Sequence, residues 1–230
     1  MAARSTPELG ELVGPKSWIR VDGFERVRPE IVAEARGLSS ATVHEAGGKI
    51  GVMPSAIKPV HPAFRVCGPA VTVQGPGGDN LWLHYAIYAA EPGDVLVVHC
   101  SGRYDHGYWG EVMSTAARAR KLGGLVIDGC VRDCDLLGEV GFPIFARGLC
   151  IRGTAKDRQA AGWINAPTQF GDLTVNAGDL VIGDADGVVV VPQARAGEVV
   201  NASRKRDADE MDICRRLEAG ETTLAIYSLG

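Results

Sequence analysis

No apolar run in this 230-residue chain reaches the roughly 18 residues a membrane-spanning helix needs, so no membrane partner is expected. The N-terminal MAARSTPELGELVG lacks the apolar stretch of a secretory signal, which leads us to expect a cytoplasmic protein. Basic excess is missing too. The chain has 28 Asp and Glu against 24 Lys and Arg, a net charge of -4. Duplex-binding domains are usually basic, so nucleic acid is disfavoured as a partner. There are six cysteines but no C-x-x-C pair, and most lie in or beside apolar strand-like runs. Buried reduced thiols are therefore expected rather than disulfides or zinc. Cys130 and Cys134, which flank Arg132-Asp133, are candidate oxidation sensors by position alone.

Several catalytic and nucleotide motifs are also absent. Gly75, Gly77 and Gly78 suggest a phosphate loop, but Asn80 stands where G-x-G-x-x-G needs its third glycine, and there is no G-K-[ST]. A tight turn, or a loop near a non-nucleotide ligand, is the better reading. No G-x-S-x-G elbow or H-E-x-x-H helix occurs. Asp184-Ala185-Asp186-Gly187 lacks the remaining calcium-loop spacing and reads as a hairpin turn.

What is present fits one domain over residues 1–230, since 46% of residues are hydrophobic and single cores extend to about 250 residues. Pro29 to Arg36 reads as a helix with proline near its start. SSATVHEAGG reads as a short capped turn stopped by Gly47-Gly48, which leaves His44 and Glu45 solvated by default. GPAVTVQ, DVLVVHC, LVIDG and FPIFARG read as strands. Between them lie a helix capped by Asp79 or Asn80, a helix from GYWGEVMSTAA stopped by Gly123-Gly124, and a short helix in RDCDLLGEVG. This alternation predicts parallel pairing and an α/β core. FGDLTVNAGDLVIGDADGVVVVPQ reads as short strands forming a hairpin or small barrel, a second β part. A polar helical tail over about 194–219, capped by Gly220, closes the chain.

Ligands of open α/β sheets bind beyond the carboxyl ends of the strands. A strand ending at Asp128-Gly129 delivers Arg132 and Asp133 there. These could be an ion pair with Asp133 capping the next helix. They could also be a carboxylate clamp beside a ligand for a hard metal ion, because magnesium takes one or two protein carboxylates and keeps several waters. The helix beginning at Gly110 has no large side chain over its first N–H groups, which makes an anion site from the backbone of Val112 and Met113. His84 sits among Trp82, Leu83 and Tyr85, and its default is a satisfied core or interface residue.

GEVMSTAARARKLGGLVIDGCVRD resembles the signature of the RraA-like superfamily. That superfamily includes class II pyruvate aldolases acting on 4-hydroxy-4-methyl-2-oxoglutarate and 4-carboxy-4-hydroxy-2-oxoadipate. The resemblance extends through GPGGDN, AEPGDVLVV, GFPIFARG and GDADGVVVVP, from about Ala41 to Glu221. The family pattern is an acid, twenty intervening positions, then Arg-Asp. Glu111 and Arg132 keep that spacing (132 − 111 − 1 = 20), with glutamate where the aldolases carry aspartate.

The resemblance implies a swivelling β/β/α-type layered sandwich, a homotrimer or hexamer with sites between subunits, and Mg²⁺ or Mn²⁺ as cofactor. It implies a small keto-acid substrate cleaved to pyruvate, with oxaloacetate decarboxylation alongside because both reactions pass through the pyruvate enolate. Residue by residue, it implies Arg132 as carboxylate clamp, Asp133 as direct metal ligand, and Gly110, Glu111, Val112 and Met113 at the substrate. Lys156 and His84 are implied near the bound keto acid. Glu45 and an acid of KRDADEMD, assigned here to Glu210, are implied as contributions from the neighbouring subunit. Two other readings stand beside the lyase. One is a non-catalytic protein that inhibits a ribonuclease by protein–protein contact. The other is a quinone-precursor methyltransferase, which the missing nucleotide loop disfavours.

Overall fold

The structure, a computed structural model, describes residues 18–230, so the MAARSTPELGELVG segment and the expectation drawn from it lie outside the described residues. β1 (Trp18–Arg20) comes first, then α1 (Pro29–Ala35) and α2 (Ser40–Ala46). Proline opens α1, where its missing N–H costs nothing. Ser39 caps α2 by accepting from the Thr42 N–H at 3.0 Å. After β2 (Lys58–Pro59) the chain alternates as its periodicity predicts: β3 (Val66–Gln74), α3 (Leu81–Ala89), β4 (Val95–His99), α4 (Glu111–Ala119), β5 (Gly124–Val131), α5 (Cys134–Val140) and β6 (Ile144–Leu149). Of the two candidate caps of α3, it is Asp79 whose carboxylate accepts the Leu81 N–H, at 2.7 Å.

β3, β4, β5 and β6 lie side by side in sequence order and pair in parallel. Right-handed crossovers then place α3, α4 and α5 in one layer, and α4 packs against both others. The strands read VLVVH and GLVIDGCV because they are buried on both faces. The sheet grows at its edges through β7 (Gly162–Ile164), which pairs with β3 and carries β1 beyond it, and through β2 on β6. β8 (Thr168–Phe170) and β9 (Leu173–Val175) form a separate two-stranded sheet, with Phe170 edge-on to His99.

The second β part is present but not separate. β10 (Leu180–Gly183) and β11 (Val188–Val191) form the expected hairpin around Asp184–Gly187, yet β10 also pairs antiparallel with the first half of β3. The long β3 therefore belongs to both parts and fuses them into one nine-stranded sheet. Below this hairpin a second apolar cluster joins Val32 and Val43 to Val189, Val199 and Val200, and so holds α1, α2 and the inner half of α6 (Ala196–Glu218). A short α7 (Thr223–Ile226) follows.

Three boundaries differ from the sequence reading. α4 stops at Ala119, before Gly123-Gly124, because Lys121 itself takes a left-handed conformation (φ 59°) that breaks the helix. β5 continues past Gly129 to Val131, so the turn into α5 begins directly at Arg132. The thiols are less buried than expected. Cys100 is buried, whereas Cys134 and Cys214 are exposed because they fall on the outer faces of α5 and α6.

Asp94, just before β4, carries the most buried charge of the amino edge at 1% exposure. Its two oxygens accept from Arg26 Nε and Nη2 at 2.9 Å each, and one also accepts the Glu91 N–H at 2.8 Å. This fork, with the hydrogen bond as its main cause, raises the Arg26 pKa further. Removing one member of a buried pair strands the other's charge. We expect Arg26→Ala to lower the unfolding free energy by about 3 kcal/mol in chemical denaturation. A loss under about 1 kcal/mol would reduce the fork to an ordinary surface contact.

Candidate active site

The turn after β5 and the start of α4 meet at one spot. Gly110 holds an extended conformation (φ −156°, ψ −163°) before the first turn of α4, and no side chain caps the helix locally. The carboxylate of Asp133 supplies the cap from across the sheet edge, its Oδ2 accepting the Glu111 N–H at 3.1 Å. Glycine is required here, because a Cβ on Gly110 would sit 2.2 Å from that oxygen. Asp133 occupies the N-cap position of α5 with a left-handed backbone (φ 61°), and its side chain makes no cap bond to that helix. The simple helix-cap reading of Asp133 is thus corrected: its carboxylate serves α4.

Arg132 is anchored through its backbone N–H to the Trp109 carbonyl at 2.9 Å. Its Nε lies 3.9 Å from Asp133 Oδ2, too far for a hydrogen bond, and its side chain is half-exposed. The guanidinium is therefore available to a ligand. The N–H groups of Val112 and Met113 find no acceptor among the described residues, since the carbonyls four positions back are engaged by Asn80 and Arg132. They project from the positive end of α4. Trp109 fixes the bend by donating to Ser114 Oγ at 2.7 Å, and that hydroxyl donates to the Gly110 carbonyl at 2.9 Å.

A cavity of about 290 Å³ collects these groups. Of the sequence-predicted residues, Gly110, Val112, Met113, Arg132, Asp133, Lys156 and His84 all line it. Glu111 stands at its edge: the backbone N–H is bound to Asp133, but the side chain is not part of the lining. Glu45, exposed on α2, and Glu210, ion-paired to Arg206 at 2.8 Å on α6, are outside the lining of this chain's own cavity.

Residues read from the sequence as a tight turn or a loop near a ligand, and as helix caps, complete the site. Asp79 accepts the Asp157 N–H at 2.6 Å with its second oxygen, while Ala155 N–H donates to Gly78 O at 2.8 Å. GPGGDN thus clamps the loop that presents Lys156. Asn80 lines the cavity and donates to the Tyr108 carbonyl at 2.9 Å. Tyr108 accepts the Gly78 N–H at 2.8 Å, and burial pushes its phenol up to about 12, so it remains a neutral strut. The signal for Asp79 was its cap motif, which concealed a second, long-range partner.

His84 is half-buried, and its pKa is lowered first by burial, then by Lys156, against an opposing pull from Asp79. The imidazole is neutral at neutral pH and can pass a proton. A larger cavity of about 550 Å³ opens at the amino edge between Arg36, Arg65 and Asp184. There Asp184 is fully engaged by Ser40 N–H, Ser40 Oγ and Asp186 N–H, a structural arrangement.

The fold agrees with known proteins. A profile of the RraA-like family, described as Aldolase/RraA, matches residues 31–190. The chain belongs to this family. It is 34% identical over 197 residues to a Halalkalibacterium halodurans protein provisionally named 4-hydroxy-4-methyl-2-oxoglutarate aldolase, covering 86% of this chain and 92% of that one. An uncharacterized Pseudomonas syringae protein of known structure is similar at TM-score 0.77 and 31% identity, covering 86% and 97%. Streptomyces coelicolor RraAS2, described as an unusual member of the RNase ES inhibitor RraA protein family, matches at TM-score 0.72 and 28% identity, covering 83% and 100%. The expected RraA-like α/β architecture is therefore established. Among the described residues no helix is long and apolar enough to cross a membrane.

The coupling between Lys156 and His84 can be read directly. In Lys156→Ala the imidazole pKa should rise, because a positive neighbour that disfavours its protonation is gone. Following the His84 ring protons by NMR across pH 4–8 checks this, and an unmoved midpoint would separate the two residues.

Proposed function

We propose that this protein is a divalent-metal-dependent lyase that cleaves 4-hydroxy-2-keto acids to pyruvate and a second keto acid, and that it also decarboxylates oxaloacetate. One observation carries the reading: an Arg132 guanidinium without a hydrogen-bonded carboxylate, and two unpartnered backbone N–H groups, border the same cavity as the Asp133 carboxylate. Two kinds of anion-binding group beside a carboxylate suit a substrate whose own carboxylate is held while a cation is placed next to it.

The donor set can be tested against the implied metal. No group of three His, Cys, Asp or Glu residues among the described residues could hold a metal ion. A soft or fully protein-caged metal does not fit. A hard cation that keeps most of its waters does, with Asp133 as its protein ligand. When bound, Mg²⁺ or Mn²⁺ supplies Lewis-acid polarisation of the keto oxygen.

The chain's own residues do the rest. Arg132 and the Val112 and Met113 N–H groups hold the substrate carboxylate and fix its plane. The same charges offset the negative charge that develops as the carbon–carbon bond breaks. Lys156 adds a further cation at the wall. Neutral His84 in the cavity wall is assigned to take and return the proton of the C4 hydroxyl, with Glu111 at the cavity edge in support. Lys156 is exposed on a polar loop, so no Schiff base is invoked.

A second reading has its own support. Val112 (77% exposed) at the cavity, and Leu149 and Ile151 (94%) at the end of β6, leave apolar side chains in solvent. An inhibitor that binds a ribonuclease, as the description of RraAS2 suggests for its family, would use such side chains. Further copies of this chain in a trimer or hexamer would cover them equally well, bringing Glu45 and Glu210 to a neighbour's site.

Two variants separate chemistry from scaffold. Asp133→Asn should stay folded, lose nearly all chelator-sensitive pyruvate release from oxaloacetate and from 4-hydroxy-4-methyl-2-oxoglutarate, and bind Mn²⁺ far more weakly by paramagnetic titration. A folded variant with wild-type activity would move the metal elsewhere. Arg132→Ala should raise KM and lower kcat together, costing on the order of 10²-fold in kcat/KM. Unchanged turnover of oxaloacetate would make the arginine structural.

A further inference from the structure

The pair singled out by position, Cys130 and Cys134, does not come together as such. Cys134 points outward on α5, and its thiol contacts the Asp135 carboxylate. A different partner faces Cys130. In the β5–β6 ladder Cys130 is opposite Gly148, and the ladder stays regular beyond it, with the Cys150 N–H donating to the Val131 carbonyl at 2.9 Å. Side chains alternate along a strand, so Cys130, Gly148 and Cys150 share one face. Glycine leaves the space between the two cysteines open: a Cβ on Gly148 would lie 3.8 Å from Cys130 Sγ.

The segment at 104–105 ties both cysteines down. The Cys130 N–H donates to the Tyr104 carbonyl at 3.1 Å, and the Cys150 thiol donates to the Asp105 carbonyl at 3.2 Å. Both thiols are partly exposed, so a small oxidant can reach them. Burial raises the pKa of the Cys130 thiol, with Cys150 the next largest cause. Cys130 is thereby held as a thiol.

This pair sits behind the candidate active site. The Cys130 carbonyl accepts the Tyr108 N–H at 3.0 Å, and Gly107 bridges to Cys130. A Cβ on Gly107 would meet the Cys150 carbonyl at 2.4 Å and Arg132 Cβ at 3.2 Å. Diagonal positions on neighbouring strands lie about 7–8 Å apart at Cα, while a disulfide needs about 4.4–6.8 Å. Closing the bond must therefore pull the end of β6 inward, against the backbone that carries Gly107 and Arg132.

We propose that Cys130 and Cys150 form a reversible disulfide on exposure to a hydroperoxide, and that its formation disturbs the Arg132 wall of the cavity. Cys150, as thiolate, attacks one peroxide oxygen. The O–O bond breaks, one oxygen stays on sulfur as a sulfenic acid, and the other leaves as water or an alcohol. The Cys130 sulfur then attacks the sulfenic sulfur. The S–S bond forms as the S–O bond breaks, and that oxygen leaves as water with the Cys130 proton. Two thiols are oxidised by two electrons and one peroxide is reduced.

The test uses the full chain with hydrogen peroxide, thiol counting and non-reduced peptide mass spectrometry. Free thiols should fall from six to four (6 − 2), with a Cys130–Cys150 cross-linked peptide that a dithiol reductant removes. Cys130→Ser should trap a sulfenic acid on Cys150, labelled by dimedone, and Cys150→Ser should give no cross-link. Cys134→Ser should cross-link like the wild type. Oxidation should lower oxaloacetate decarboxylation at least 10-fold in wild type and leave Cys150→Ser unaffected. A Cys130–Cys134 cross-link, or none within one chain, overturns the proposal. The activity arm alone rests on the lyase reading. A reduced wild type without decarboxylase activity would sink that reading, while the cross-link would still decide this one.

Discussion

An oxygen of Asp133 occupies the place where any other residue at position 110 would put its Cβ, and the candidate site is built outward from that contact. The contact joins the end of β5 to the start of α4 with one charge-assisted hydrogen bond, at Glu111. It demands a left-handed Asp133, which costs a non-glycine residue on the order of 1–2 kcal/mol. The Asp133 carbonyl offsets this by accepting the N–H groups of Leu136 and Leu137 at 3.0 and 3.1 Å, the first turn of α5. The strain has a geometric result. It turns the carboxylate away from its own helix and toward the neighbouring one, so that the free N–H groups of Val112 and Met113, Arg132 and Asp133 meet around one small volume.

The same sheet edge holds a contrasting arrangement. Gln74, His99 and Asp128 stand in register across β3, β4 and β5, and Arg147 of β6 continues the row. There Arg147 Nε bonds directly to the buried Asp128, while its guanidinium stacks over Tyr104 at 4.0 Å. His99 donates to or accepts from Gln74 at 2.8 Å, and burial lowers its pKa more than Asp128 raises it. Every charge in this row is answered within the chain, so its role is to hold four strands together at a polar end. Just beyond the end of β5, Arg132 and Asp133 stand 3.9 Å apart without a hydrogen bond between them. Similar residue types with opposite satisfaction distinguish a brace from a binding site.

Much of this was legible in the sequence, because its signals are local. Glycine and proline punctuation, β-branched runs and cap residues located α1 to α6 and the strands β3 to β6, β10 and β11 to within a few residues, but not the short edge strands β2 and β7. The Arg-Asp pair followed from the end of an apolar strand. Most of the differences come from long-range pairing, and one from a local backbone conformation. The fusion of β10 onto β3 depends on a strand more than a hundred residues away and leaves no periodic trace. The stop of α4 was misplaced because a lysine adopts the conformation that glycine usually signals. Asp79 was one of two candidate caps, with Asn80, and it does cap α3, but its second oxygen binds residue 157, and no local pattern announces that. The nearness of Cys150 to Cys130 is likewise long-range, since it follows from the Cys130–Gly148 register of β5 and β6.

The outer half of α6 sets a limit on what one chain completes. The helix has 23 residues, about 34 Å at 1.5 Å per residue. Its buried residues, Ala196, Val199, Val200 and Ser203, all fall in the first third. Beyond them the helix is held by local ion pairs such as Arg206–Glu210 at 2.8 Å and Arg215–Asp212 at 3.0 Å. Each such pair contributes only a few tenths of a kcal/mol, too little to compensate for absent packing over four turns. The same stretch and the tail after it expose Met211, Leu224, Tyr227 and Leu229. Exposed apolar side chains near the end of the chain gain by covering another surface, and the exposed Val112 at the cavity and Leu149 and Ile151 at the end of β6 gain by being covered. Joining the two between copies of the chain would bury both, shield the anion-binding groups from water and so strengthen their hold on a carboxylate. On that reasoning the length of α6 and the openness of the cavity would share one physical cause in the proposed oligomer, where each would be half of a contact between copies.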